Sequence, residues 1–190
     1  MARVIYNTAS TLNGFLADEQ DSLSWLFAVG GGEAPDTEAF LRGMGAIVMG
    51  STTYEWILRQ ERILEQRGRW QELGYMASLP AFVFTTRSLP APEGADVRFV
   101  RGAVADALPE VVRAAGEKDV WVMGGGDLAG QFLDARALDE VQVSVAPVTL
   151  PGGRPLLPRR VESDTLELRS AERFGQFVHL TYGVRRAAGG

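Results

Sequence analysis

Three short stretches of this sequence bring together residues suited to holding phosphate: Gly50-Ser51-Thr52-Thr53, Thr85-Thr86-Arg87-Ser88 and Gly124-Gly125-Gly126-Asp127. Each follows an apolar run (Ala46 to Met49, Ala81 to Phe84, Val120 to Met123) that reads as a strand buried on both faces. Glycine lets a ligand approach the backbone closely. Serine and threonine hydroxyls add donors, and a helix opening after such a turn offers free N–H groups and a positive dipole end. Arg87 adds a guanidinium fork that can hold a terminal phosphate by paired, charge-assisted bonds. Each residue alone has a plain structural use: Gly50 and Thr52 suit a turn and a helix cap, and Arg87 a solvated surface. A run of three glycines costs roughly 0.5–1 kcal/mol per residue relative to alanine, so a compensating contact is expected there, and close phosphate approach fits. Gly124-x-Gly126-x-x-Ala129 also has the outline of a dinucleotide fingerprint. That fingerprint calls for an acidic residue at the end of the next strand, ~20 residues on. Here the next strand runs into Ser144-Val145-Ala146-Pro147, which excludes a standard Rossmann unit.

The elements that must position these residues alternate. Strands are expected at Val4 to Ala9, the three apolar runs above and Val97 to Val100. Helices are expected at Asp36 to Gly43, Thr52 to Gln60, Val104 to Ala115 and Asp127 to Ala135. This alternation predicts a mostly parallel sheet with right-handed crossovers. Glu140 to Ala146 reads as a further strand. Thr165 to Glu172 and Phe177 to Val184, joined by a turn near Gly175, read as an antiparallel hairpin at one sheet edge. Arg59 to Tyr75, charged and holding two glycines, reads as a solvent-facing helical excursion. The 190 residues suit one domain over 1–190.

Composition narrows the function further. A net charge of −5 argues against a general nucleic-acid binder. No apolar run reaches the ~18–20 residues of a membrane span. The opening Met1 to Tyr6 enters a strand pattern without a leader's apolar region, so the cytoplasm is the expected compartment. The sequence has no cysteine and one histidine, His179, so no thiolate or His-rich metal site is expected.

The order and spacing of several pieces resemble the dihydrofolate reductase-like superfamily, most closely the branch containing the RibD C-terminal domain, the reductase domain of bacterial riboflavin biosynthesis. They are Thr11-Leu12-Asn13-Gly14-Phe15-Leu16-Ala17, Val48 to Glu55, Thr85-Thr86-Arg87, Val122 to Gly126, and Pro147 to Leu157 with its Gly152-Gly153-Arg154. The resemblance implies a three-layer α/β fold, a mostly parallel central sheet with an antiparallel C-terminal edge hairpin, and NADPH as cofactor. It places Gly50, Thr52 and Thr53 at the pyrophosphate, with Ser51 where the family carries an arginine. Thr86 and Arg87 fall at the adenosine ribose and its 2′-phosphate. Gly124, Gly125 and Gly126 lie along the pyrophosphate, with Asp127 capping the helix behind. Ala9, Leu16 and Ala17 flank the nicotinamide. Asn13, where the branch has an aspartate, falls on the substrate side with Gly152, Gly153 and Arg154. With Ser51 replacing arginine, NADPH preference over NADH is left to Arg87.

The activity implied is NADPH-dependent reduction of a C=N or C=O bond in a small pterin- or pyrimidine-like substrate, similar to that of 5-amino-6-(5-phosphoribosylamino)uracil reductase. The alternative is a dinucleotide-binding module without efficient reduction. Asp36 is the positional match to the carboxylate that anchors the pterin in dihydrofolate reductases, and equally a helix cap after Pro35; Glu38 is a weaker match. His179 is an alternative general acid, though mid-strand placement favours a structural role. Trp25 would cover the substrate from the loop after the first strand. A homodimer through the late edge strands is also implied.

Overall fold

The computed structural model describes residues 2–30 and 37–185. Its centre is an eight-stranded sheet. In chain order its members are β1 (Val4–Thr11), β3 (Met44–Gly50), β4 (Ala81–Phe84), β5 (Val97–Val100), β6 (Asp119–Gly124), β7 (Glu140–Ala146), β9 (Leu166–Phe174) and β10 (Phe177–Val184). A two-stranded sheet pairs β2 (Phe15–Ala17) with β8 (Arg154–Pro155). The order across the large sheet is β5-β4-β3-β6-β1-β7-β10-β9. From β5 to β7 every neighbouring pair is parallel, and β10 and β9 join antiparallel. Among the described residues, five α-helices lie between strands: α1 (Ser24–Ala28), α2 (Thr37–Gly43), α3 (Ser51–Gln60), α4 (Val104–Ala115) and α5 (Gly126–Asp134).

Strand alternation divides the core into two layers. Val4 and Tyr6 of β1, Ala46 and Val48 of β3, Phe82 of β4 and Val120 and Val122 of β6 face α4 and α5, where Val111, Leu128 and Phe132 meet them. Ile5, Ile47, Met49, Ala81 and Val83 point the other way, toward Tyr54, Ile57 and Leu58 of α3. Both faces of the central strands are therefore apolar, which is why these strands read as continuous hydrophobic runs rather than alternating ones. The three-layer α/β architecture expected from the sequence is the one observed.

Two differences stand out. The Arg59 to Tyr75 stretch is not a solvent-facing helix. After α3 the chain makes turns and a 3-10 segment, Gln71–Ser78, and returns Ile63 and Trp70 to the α3-side core at 4% and 2% exposure. Its charges pair along the outside, as Arg69 does with Glu61 and Glu72, so a charged surface conceals the two anchors beneath it. The small β2–β8 sheet and α1 had no periodic signal: β2 and β8 are three and two residues long, too short for an apolar run, and α1 at five residues is little more than one helical turn.

Candidate functional site

Because β4, β3, β6, β1 and β7 are neighbours and parallel, their carboxyl ends share one edge of the sheet. This brings the three expected phosphate-holding stretches side by side. In register, Gly50 pairs with Phe84 and Met49 with Gly124. A ligand across the carboxyl ends of an open α/β sheet meets this edge first.

Two helix starts form its middle. Gly50 is the N-cap of α3 and Gly125 the N-cap of α5, and neither helix has a side chain bonded to its cap. The first N–H groups of both are thus left for another acceptor. The two starts lie close together: a methyl added at Gly50 would stand 3.9 Å from the Gly124 carbonyl oxygen and 3.9 Å from the Gly125 nitrogen. Thr53 Oγ1 lies beside Gly124. Ser51 and Thr53 are half-buried and Thr52 is exposed. The Gly124–Gly125 peptide is cis.

The glycine run divides by role. Space above Gly125 is open, with nothing within 4 Å of an added Cβ. At Gly126 a Cβ would collide with the carbonyl oxygens of Pro155 and Leu156. Gly126 is therefore required by the chain crossing behind α5, whereas Gly125 faces the open edge. The cap expected of Asp127 is also not made. Its carboxylate, in the first turn of α5, instead accepts bonds from Gln131 and Arg159. These donors, Gln131 first, hold the carboxyl below the usual aspartate range.

Arg87 and Thr86 are exposed beyond the end of β4. The Arg87 backbone N–H donates to Thr85 Oγ1 at 3.0 Å. Tyr54 of α3 donates its hydroxyl to the Pro90 carbonyl at 2.7 Å, fixing this loop to α3, and burial pushes the phenol up to about 12. The Arg87 guanidinium is paired through both terminal nitrogens with the two carboxylate oxygens of Glu55. Glu55, one turn into α3, carries no local signal of this role, because its partner is 32 residues away.

On the other side of β6, Ala9 is half-buried in β1 opposite Ser144 of β7. Leu16 is half-buried and Ala17 buried in β2. The late glycine loop lies against this segment. Gly153 has a left-handed φ of 148°, and a Cβ there would collide with the Ala17 carbonyl, so only glycine allows β8 to pair with β2. Gly152 packs beside Glu19. Asn13 fixes the same loop: its amide donates to the Leu150 carbonyl at 2.7 Å and its oxygen accepts from the Leu150 N–H at 3.2 Å. Arg154 is paired with Asp21. Thus Asn13 and Arg154, expected on the substrate side, are both engaged in joining loops. Trp25 of α1 is buried, donating its indole N–H to the Leu16 carbonyl at 3.2 Å, and so it braces β2. Asp36 lies outside the described residues. Glu38, in the first turn of α2, is bonded by Arg42 on the exposed side of that helix.

His179 of β10 stands in register between Ser144 and Glu172. Its Nδ1 is 2.9 Å from the Ser144 hydroxyl oxygen, and burial lowers its pKa against a weaker opposing pull from Glu172. Among the described residues, no group of three or more His, Asp or Glu side chains is placed to hold a metal ion. No helix among them is long and apolar enough to cross a membrane.

Comparison with known proteins adds to this geometry. Residues 2–180 match the RibD C-terminal domain family. The chain is 26% identical over 180 residues to the uncharacterized protein YwjB of Bacillus subtilis (strain 168), covering 95% of this chain and 97% of that one. It is similar to a solved Shewanella sp. PV-4 protein provisionally assigned to riboflavin biosynthesis, with a TM-score of 0.78, 26% identity, and coverage of 98% of this chain and 100% of that one. A dihydrofolate reductase from Enterococcus faecalis, complexed with NADP(H) and RAB-propyl, shares the fold, with a TM-score of 0.61, 15% identity and 97% coverage of each chain.

Proposed function

This chain belongs to the RibD C-terminal domain family, a family of reductase-like fold, and we propose that it is an NADPH-dependent reductase of a C=N or C=O bond in a small pterin- or pyrimidine-like molecule. One observation carries the reading: two helix starts without side-chain caps, those of α3 and α5, meet at Gly50 and Gly125 on the carboxyl edge of adjacent parallel strands. Uncapped N–H groups beside open space over Gly125 fit a pyrophosphate. The relative solved with NADP(H) supports a nicotinamide group as the rest of the ligand.

Bound there, a reduced nicotinamide would supply hydride. The protein's part is positioning and exclusion of water. The α3 and α5 N–H groups hold the phosphates, helped by the Ser51, Thr52 and Thr53 hydroxyls. Thr86 and Arg87 meet the adenosine end. Ala9 and the β2 residues Leu16 and Ala17 present a small apolar wall to the nicotinamide. The β2–β8 loops, joined by Asn13 and Gly153, close the substrate side. Exposed Leu168 and Val178 on the β9–β10 edge support a homodimer, which light scattering at micromolar concentration tests; a monomer alone there removes it.

The central test is fluorescence titration with NADPH, followed by a screen of pterins, pyrimidines and small carbonyls for NADPH oxidation. Saturable binding and turnover of one class are expected. Binding without turnover across the screen would instead make the chain a dinucleotide-binding module.

A further inference from the structure

We propose that the Glu55–Arg87 ion pair sets dinucleotide choice in this chain, and that it narrows the preference for NADPH over NADH at the ribose 2′ position. The inference rests on the dinucleotide reading above and deepens it.

Position supports it first. Glu55 lies four residues after Ser51 on α3, about one helical turn or ~5.4 Å from the uncapped N–H groups. That is comparable with the span of one ribose. Arg87 reaches the same turn from the end of β4, the neighbouring strand. A dinucleotide with its pyrophosphate on α3 and its adenosine directed toward β4 therefore meets this pair.

Charge supports it next. A 2′-phosphate is best held by a free guanidinium fork, which offers paired charge-assisted bonds. Here both terminal nitrogens of that fork are already occupied by a carboxylate. The Glu55 side chain is 27% exposed and the Arg87 side chain 54%, so the carboxylate is the more sheltered of the two. A phosphate dianion must displace Glu55 or lie beside it. A bare 2′-hydroxyl meets no such penalty, because it can donate to the Glu55 carboxylate, as ribose hydroxyls do to acidic residues in NAD sites. Ser51 brings no compensating cation. Arg101, exposed just beyond the end of β5, is a further cation along this edge, since the Thr85 N–H at the end of β4 donates to the Val100 carbonyl.

The test measures dissociation constants for NADPH and NADH by fluorescence, using the full chain. The proteins are wild type, Glu55→Gln, Arg87→Ala, the Glu55→Gln/Arg87→Ala double variant and Arg101→Ala, each first shown by thermal melting to be folded. Wild type should favour NADPH by no more than about tenfold, and Glu55→Gln should move the ratio toward NADPH by about another tenfold. That gain should vanish in the double variant. An NADPH:NADH ratio unmoved by Glu55→Gln overturns the role of the pair while leaving the dinucleotide reading intact. So does a strong wild-type NADPH preference that disappears in Arg101→Ala. Binding of neither dinucleotide to folded wild type overturns the dinucleotide reading itself, and this inference with it.

Discussion

Gly126 and Gly50 stand at neighbouring helix starts, yet their missing side chains answer to different neighbours. Gly126 is pressed by the Pro155 and Leu156 carbonyls, while an added carbon at Gly50 meets ordinary van der Waals distances. Gly126→Ala should therefore lower unfolding free energy by about 1–3 kcal/mol through overpacking, read by urea denaturation. Gly50→Ala should change stability by less than about 0.5 kcal/mol but weaken dinucleotide binding, because its methyl would stand among the free N–H groups. Equal stability losses in the two variants would refute this division. The sequence singled out the run and its cost, but could not assign the cost residue by residue. The atoms pressing on Gly126 come from a segment about thirty residues later. Separation in sequence likewise hid the partners of Arg87, Arg154 and Asn13, which lie 32, 133 and 137 residues away. A side chain's type states what it can bond, and only the fold states whether that capacity is already used.

The elements were legible where burial left an apolar run or a helical stripe in the residues. α4, β4, β5, β7 and β10 have the expected bounds, and β1, β3 and β6 are longer than expected by two or three residues, because ladder pairing continues past the apolar run. Short pieces held by pairing rather than pattern, β2, β8 and α1, were not legible, although they build the substrate side. The β7–β10–β9 row carries a prediction of its own. Burial, opposed weakly by Glu172, holds the His179 pKa below its ordinary value. A histidine whose folded value lies below its unfolded one, ~6.5, binds fewer protons folded than unfolded. Its contribution is present above ~6.5 and is lost as pH falls through the folded value. Stability should decline between about pH 7 and pH 5, and His179→Gln should flatten that decline. Parallel pH curves from urea unfolding of the two proteins would count against it.

At the scale of the whole molecule, the two core layers share the same strands. Phe132 of α5, fully buried and edge-on to Phe84, belongs to one layer, and Ile57 of α3 to the other. Phe132→Ala should cost about 3–5 kcal/mol and Ile57→Ala about 2–5 kcal/mol. In both variants near-UV and far-UV circular dichroism should still report one coincident transition. Separate transitions would mean that the layers unfold independently. The sequence by itself determined the alternation of strands and helices, the parallel sheet with its antiparallel edge, and the three polar strand ends, because burial on two faces imposes a pattern on the residues themselves. Only the tertiary structure decided that the ends of β4, β3 and β6 adjoin, that Gly125 faces open space while Gly126 does not, and that Glu55 holds Arg87. Those facts depend on strand order and on contacts between residues far apart in the chain, and periodicity, a local property, carries no record of either.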